Sequence, residues 1–219
     1  MRKLSIICLL LMLLGLIGQD VFAHVPYVEN RDFSQRLPFK IRDSVENSMA
    51  IYALLYNGKD VDVYTFEVTE PVRVFVSSVV PICPAYESFL PWFAVVGPGL
   101  PLPEEELPFE IPEGYGAVVV KHSGSNDTLE QFCEPVGGKY YYLGPIFDET
   151  VSEPGTYYVY YWDPEQRRGD YIASIGFKEF TFDQLTFIEQ LHVLIYSPLI
   201  RLNLELHTRC PQNDLPACP

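Results

Sequence analysis

The stretch Asp60-Val61-Asp62-Val63-Tyr64-Thr65-Phe66-Glu67-Val68 has the alternation of an amphipathic β-strand. Tyr64, Phe66 and Val68 share one face, because successive side chains of a strand point to opposite sides of the sheet. Thr65 and Glu67 share the other face. The pattern predicts a strand over residues 61–68 that is buried on one side.

Seven more runs of aromatic and β-branched residues are divided by turn signals such as Asn57-Gly58 and Glu153-Pro154-Gly155. They cover residues 50–56, 72–80, 92–96, 116–122, 139–143, 156–162 and 171–177. The runs are short, and the crossover helices that a parallel sheet needs do not lie between them. The sequence therefore predicts an all-β fold: an antiparallel, jelly-roll-like β-sandwich with a short C-terminal helix.

Residues 97–114 have a different composition, since five prolines and five glutamates alternate there with a few apolar residues. Proline cannot donate to a strand ladder, so the segment is not a central strand. We expect an extended, partly polyproline surface loop that connects two strands. A recognition loop for a partner is the alternative.

One helical pattern occurs near the C-terminus, where apolar residues recur at intervals of three and four. These residues are Leu185, Ile188, Leu191 and Ile195. Asp183 is placed to cap the helix, and Pro198 is placed to end it. We expect the apolar stripe to pack on the sandwich. Docking on a membrane surface is the alternative, and the lack of basic residues on the opposite helix face argues against it.

The N-terminus has the order of a secretory signal peptide, with Arg2 and Lys3, an apolar run over residues 4–17, and small residues up to Ala23. We expect cleavage after Ala23, so that the mature protein begins at His24 and is secreted or periplasmic. The expected parts are a signal over residues 1–23, a sandwich over 24–178, and a helix with a Cys/Pro-rich tail over 179–219. No later apolar run reaches 18 residues, so no transmembrane anchor is expected in the mature chain.

The formal net charge of −14 argues against nucleic acid as a partner, because the phosphate backbone would be repelled. A solvated acidic surface is the simplest interpretation of this charge. The expected partner is an unidentified protein or carbohydrate ligand at the cell exterior.

The cysteines of the mature chain are even in number, which is typical of disulfides in an exported protein. They are Cys83, Cys133, Cys210 and Cys218. Three pairings are open to them. We favour Cys210–Cys218 as a small C-terminal loop, together with Cys83–Cys133 between distant strands.

Two sets of residues have metal-ligand chemistry. Asp60 and Asp62 lie two residues apart and direct their carboxylates to one side, which suits calcium. Turn capping by Asp60 is the favoured interpretation, and calcium binding is the alternative. Cleavage before His24 would place a free α-amine beside an imidazole, and with His122 these nitrogens could hold copper. Cofactor predictions are therefore limited to copper or calcium.

The motifs of the strands resemble those of the bacterial pre-peptidase C-terminal (PPC) domains. The first strand, residues 60–68, is similar to their "D-x-D-x-Y-x-F" strand, and residues 154–159 and 169–175 are similar to their closing strands. The likeness covers about residues 48–177. It implies a jelly-roll-like β-sandwich of the kind attached to secreted enzymes. The Pro/Glu segment and the C-terminal helix depart from that pattern.

Motifs of common enzyme classes are absent from the sequence, among them G-x-S-x-G, H-E-x-x-H and the P-loop. Whether the chain is an enzyme stays open, with a non-catalytic protein favoured. The leading hypothesis is an exported, non-catalytic β-sandwich that acts as a binding or structural module. The alternative is a periplasmic or extracellular copper-binding protein that uses His24.

Overall fold

The structure is a computed structural model that describes residues 21–22, 24–134, 139–181 and 185–201. All eight predicted strands are present, with ends that differ by a few residues from those expected, and with one strand extended to Val151. The strands are β1 (Val21–Phe22), β2 (Val25–Val28), β3 (Phe39–Lys40), β4 (Met49–Leu55), β5 (Asp62–Val68), β6 (Val72–Pro81), β7 (Trp92–Gly97), β8 (Gly116–Val120), β9 (Glu130–Glu134), β10 (Lys139–Val151), β11 (Gly155–Trp162), β12 (Gly169–Ile175) and β13 (Phe180–Thr181). Within these described residues there is one α-helix, α1, which covers Phe187–Arg201.

Two sheets pack face to face. Sheet I has the strand order β2-β4-β12-β6-β10-β9, and sheet II has the order β3-β5-β11-β7-β8. This arrangement confirms the all-β sandwich. The sheets are mixed rather than purely antiparallel, because β2 pairs in parallel with β4 and β3 pairs in parallel with β5. A separate two-stranded pairing joins β1 to β13.

The space between the sheets is filled by a continuous apolar core. Tyr64, Phe66 and Val68 of β5 point into it, as the alternation predicts. The other face of β5 is also covered, since Val63 is fully buried and Thr65 is only 7% exposed. The prediction that this strand is buried on one side is therefore wrong. The reason lies in the Pro/Glu segment, which covers the outer face of sheet II.

Residues 97–114 form a strap that packs across sheet II. Leu107, Phe109 and Ile111 belong to the apolar cluster on the outer face of this sheet. The ring of Phe109 stacks on that of Tyr160, with centroids 3.9 Å apart and planes 5° apart. The residues between them, Pro108 and Glu110, are exposed. The strap is the predicted connection between two strands, β7 and β8, and it is attached to sheet II by alternate side chains.

Helix α1 begins with a capping box. The amide of Glu189 donates to the hydroxyl of Thr186 at 3.3 Å, and the amide of Thr186 donates to the Glu189 carboxylate at 2.7 Å. Asp183, the predicted cap, lies outside the described residues. The predicted stop at Pro198 is wrong, because the helix continues to Arg201. A proline removes one backbone hydrogen bond, and here this loss does not end the helix.

The helix packs on the sandwich with a face that the apolar pattern does not predict. Ile188 and Ile195 are 59% and 50% exposed, whereas Glu189 and Val193 are 5% and 1% exposed. The ring of His192 contacts that of Tyr27 in β2 with centroids 4.6 Å apart. The expectation that the apolar stripe packs on the sandwich is therefore wrong for Ile188 and Ile195. Leu185, which is buried, precedes the helix.

Within the described ranges, no helix is both long enough and apolar enough to cross a membrane. The predicted signal segment lies mostly outside the described residues, as do Cys210 and Cys218. Its cleavage after Ala23, and the domain boundaries that depend on it, stay predictions. Such a cleavage would remove β1 and leave His24 directly before β2.

Candidate functional site

Carboxylates converge where the segment after β2 meets the turn between β4 and β5. One carboxylate oxygen from each of Asp32, Asp60 and Asp62 lies within 4.8 Å of the others. Asp32 is exposed, Asp60 is half-buried, and Asp62 is fully buried. We call these three residues the acidic cluster. It contains both aspartates that the sequence predicts as calcium ligands and one that it does not.

A tight turn positions Asp60. Its amide donates to the carbonyl of Asn57 at 3.0 Å, and the Asn57 side chain accepts the amide of Lys59 at 2.9 Å. The carboxylate of Asp60 in turn accepts the amide of Tyr56. Turn capping by Asp60 is therefore present. It occupies one carboxylate oxygen, Oδ2, and leaves metal binding by this side chain open.

Asp62 is buried because it opens β5 on the same face as Tyr64, which points into the core. Its Oδ2 accepts a hydrogen bond from the hydroxyl of Tyr171 at 2.7 Å. No donor among the described residues reaches its Oδ1. A carboxylate oxygen that is buried without a donor is costly, so this oxygen is a position where a cation would be stabilising.

Glu29 borders the cluster from the end of β2. It is 1% exposed, and its Oε2 accepts the amide of Leu54 at 2.8 Å. Burial raises the pKa of Glu29 to about 8, and the charges of Asp60 and Asp32 add to this effect. The parallel pairing of β2 with β4 brings Glu29 beside the turn that carries Asp60.

The electrostatics of the cluster favour a proton or a cation. Burial raises the pKa of Asp62 well above its ordinary value, and the neighbouring charge of Glu29 raises it further. Burial also raises the pKa of Asp60. In the described part of the chain, no lysine or arginine forms an ion pair with Asp32, Asp60 or Asp62.

Oxygen ligands of this kind suit calcium, which takes six to eight oxygens and accepts flexible geometry. The acidic cluster offers one carboxylate oxygen from each of its three residues, and water would complete such a shell. Sequence reasoning missed Asp32 and Glu29. The signal that could have found them is the acidic pair in Glu29-Asn30-Arg31-Asp32, but nothing local places that pair beside Asp60.

A cleft of about 500 Å³ shares Asp60 with the acidic cluster. Its walls include Trp92, Trp162 and the strap residue Glu105. The indole nitrogen of Trp92 donates to the carbonyl of His122 at 2.6 Å, which fixes the orientation of the ring. An aromatic wall with carboxylates around it can bind a ligand by stacking and by hydrogen bonds.

The two histidines of the predicted copper site are not brought together. His24 directly precedes β2, which is an edge strand of sheet I. The ring of Tyr27 in β2 contacts that of Phe39 in β3, so this edge of sheet I faces the β3 edge of sheet II. His122 follows β8, which lies at the edge of sheet II opposite β3. The Nδ1 atom of His24 lies 2.6 Å from the hydroxyl of Ser48. A copper site shared by His24 and His122 would have to span the width of the sandwich.

Cys83 and Cys133 are the two predicted disulfide partners that lie within the described part of the chain. Cys83 follows β6 and Cys133 belongs to β9, and both of these strands pair with the central strand β10. Their pairing with one another stays a prediction. So does the Cys210–Cys218 bond, whose residues lie outside the described part of the chain.

No protein-family model matches the chain, and no curated protein does. Among solved structures, it is similar to the pre-peptidase C-terminal domain of a collagenase from Bacillus anthracis, with 18% identity and a TM-score of 0.35 over 63% of this chain and 92% of that chain. It is also similar to PliG of Aeromonas hydrophila, a periplasmic inhibitor of g-type lysozyme, with 10% identity and a TM-score of 0.37 over 70% and 97% of the two chains. The first of these structures is a member of the family that the strand motifs resemble. The sequence motifs and the structural comparison thus give the same weak match. Neither likeness transfers a ligand or a partner to this chain.

Proposed function

We propose that this chain is an exported, non-catalytic β-sandwich binding module in which calcium organises the binding end. The acidic cluster holds the ion, and the neighbouring cleft with Trp92 and Trp162 takes the ligand. The observation that carries the calcium site is Asp62, a fully buried carboxylate with one oxygen that no donor among the described residues reaches. Asp32 and Asp60 complete a set of oxygens around it.

The link between the ion and the cleft is the turn between β4 and β5. Gly58, Lys59 and Asp60 line the cleft, and Asp60 also belongs to the acidic cluster. An ion that holds the Asp60 carboxylate would therefore fix one wall of the cleft. Ordering a wall before the ligand arrives lowers the entropy cost of binding. The ligand class that we propose is a protein or a carbohydrate at the cell exterior.

The calcium site is tested by thermal unfolding of the processed protein in chelator and in calcium. Calcium at about ten times its Kd stabilises a protein by about 1.4 kcal/mol, which raises the Tm of a chain of this size by about 3–6 °C. The Asp62→Asn variant keeps an oxygen for the Tyr171 hydroxyl and loses the charge. We expect it to be at least as stable as the wild type in chelator and to show no calcium shift.

Asp43→Asn is the matched control, because Asp43 is an exposed acid of the same region outside the acidic cluster. It should keep the full calcium shift. A wild-type Tm that calcium does not change would overturn the proposed site. An equal shift in Asp62→Asn would do the same, since the ion would then be bound elsewhere.

A further inference from the structure

A cleft of about 760 Å³ lies between the segment after β2 and helix α1. Four exposed cationic side chains line it: Arg31, Arg36, Lys40 and Arg42. Asp43 is the one carboxylate among its lining residues. In a protein with a formal net charge of −14, this is a local concentration of positive charge.

Some cations of the described chain are paired with an acidic side chain, and others, such as Lys59 and Arg168, are not. Arg73, Lys121, Arg167 and Lys178 each form an ion pair with a carboxylate. None of Arg31, Arg36, Lys40 and Arg42 does so within the described residues. Their charge is therefore available to an anion outside the protein.

An apolar stripe of α1 borders the same cleft. Its most exposed members are Phe187, Ile188, Leu194 and Ile195, which are 73%, 59%, 62% and 50% exposed. At 100° per residue, these side chains occupy one arc of about 120° on the helix, and the buried Glu189 and Val193 lie on the other side. Ile188 also lines the cleft, so the apolar stripe and the cations are continuous. We call the four cations and this stripe the basic–apolar face.

We propose that the basic–apolar face docks on an anionic lipid surface. The apolar stripe of α1 would enter the boundary between headgroups and acyl chains, and the four cations would contact lipid phosphates. An interfacial helix ordinarily carries its basic residues on its own polar face. Here the segment between β2 and β4 supplies them, which is why the helix sequence alone argues against membrane docking.

Charge and shape together favour a lipid surface over other occupants. A free phosphate would use the cations and leave the apolar stripe exposed. A second copy joined through a twofold axis would bring the same cations face to face, and like charges repel. Acidic side chains farther away than about 8 Å are largely screened at physiological ionic strength. Asp32 and Asp43 directly follow Arg31 and Arg42 in the sequence and reduce the net positive charge of the face without cancelling it.

The test is cosedimentation of the processed protein with vesicles of phosphatidylcholine alone and of equal parts phosphatidylcholine and phosphatidylglycerol. The buffer contains EDTA, so that calcium does not bridge the acidic protein to lipid. We expect partition onto the phosphatidylglycerol vesicles only. The double variant Arg36→Gln with Arg42→Gln should lower this partition about 25-fold, because each basic residue near an anionic surface contributes about a fivefold factor.

The variant Ile188→Ser with Ile195→Ser should lower the same partition at least about tenfold, since it removes the side chains that enter the lipid. Two controls carry matched changes elsewhere: Lys59→Gln with Arg168→Gln, and Leu102→Ser, all at exposed positions. Both should partition like the wild type. Circular dichroism checks that every variant is folded, and the exposure of the changed residues favours this.

Three results would overturn the proposal. The first is no partition onto phosphatidylglycerol vesicles, or equal partition onto both kinds. The second is that the arginine variant loses partition onto the phosphatidylglycerol vesicles while the isoleucine variant partitions like the wild type. This result would assign the cleft to a soluble anion. The third is a dimer in analytical ultracentrifugation that the isoleucine variant converts to a monomer, which would assign the stripe to a second copy.

Discussion

The carboxylate of Asp62 in sheet II accepts a hydrogen bond from the hydroxyl of Tyr171 in sheet I, over a distance of 2.7 Å. Both side chains are buried, and the hydroxyl of Tyr171 lies 3.0 Å from that of Tyr64. A polar chain thus runs through the apolar core and joins the two sheets. It ends at the acidic cluster, so we expect a cation bound at the proposed calcium site to change the stability of the sandwich.

Replacing Tyr171 with phenylalanine tests this link. The substitution leaves the Asp62 carboxylate without its hydroxyl donor, and a buried polar group that loses its partner costs about 1–3 kcal/mol. We expect a loss of this size in urea unfolding measured in chelator. Tyr158→Phe is the control, because this half-buried tyrosine lies on the outer face of sheet II. It should change the free energy of unfolding by less than about 0.5 kcal/mol. Equal effects of the two variants would argue against the polar chain.

The pKa of Glu29 predicts an unusual pH dependence. Its folded-state pKa is raised to about 8, well above the value of about 4.3 for an exposed glutamate. Between these values the folded state binds more protons than the unfolded state, so the stability contributed by Glu29 is present at low pH and is lost as the pH rises. The metal-free protein should therefore lose stability through this group from about pH 5 to pH 8.

The histidines oppose this trend. Burial lowers the pKa of His122 and of His192, and a histidine of this kind contributes less to the stability of the folded protein as the pH falls. The difference between the wild type and Glu29→Gln isolates the glutamate. We expect the urea midpoint of Glu29→Gln to increase relative to that of the wild type as the pH rises from about 5 to 8. A constant difference would contradict the assignment. Calcium should reduce the slope of the wild type, because a bound cation favours the ionised carboxylate.

The strap should be held mainly by Phe109. Its ring stacks on Tyr160 and packs edge-on against Trp162. Phe109→Ala should therefore cost about 2–4 kcal/mol in urea unfolding, near the lower end of buried aromatic truncations because Phe109 is only half-buried. It should also make the strap more sensitive to a protease that cleaves after glutamate.

Leu102→Ala is the control variant in the strap, because the Leu102 side chain is 78% exposed. We expect an effect within about 0.5 kcal/mol and unchanged proteolysis. If Phe109→Ala is as stable and as resistant as Leu102→Ala, the strap is held by other contacts.

Peptide mapping without reduction tests the predicted Cys83–Cys133 bond. The expected product is a single linked pair of peptides that separates on reduction. Closing a loop of 50 residues stabilises a protein by about 4 kcal/mol in the chain-entropy estimate. Cys83→Ser with Cys133→Ser should lose stability of this order. A linkage of either cysteine to Cys210 or Cys218 would contradict the pairing.

The sequence predicted the strands well where local patterns are strong. All eight predicted strands are present because aromatic and β-branched residues alternate along them and turn residues separate them. It missed the five short strands β1, β2, β3, β9 and β13, which have two to five residues each. Such short segments carry too few residues to show a periodicity. In addition, β2 pairs in parallel with β4 and β3 pairs in parallel with β5, so these pairings join parts of the chain that no hairpin connects.

The sequence predicted the part of the candidate site that depends on local geometry and missed the part that depends on contacts between distant segments. Asp60 and Asp62 are close in sequence, so their proximity follows from strand geometry. Asp32 joins them only because the segment between β2 and β3 folds back over the end of the sandwich. The copper hypothesis paired His24 with His122 on residue type alone, and the strand order separates them.

By itself, the sequence determined the class of fold, the inward face of β5 and two of the three aspartates in the acidic cluster. These follow from interactions between residues that are near one another in the chain. The tertiary structure decided which face of α1 is buried, how the Pro/Glu segment packs, and which cations stand beside the apolar stripe. Those outcomes depend on contacts between distant segments, whose burial and charge balance are set only when the sheets come together.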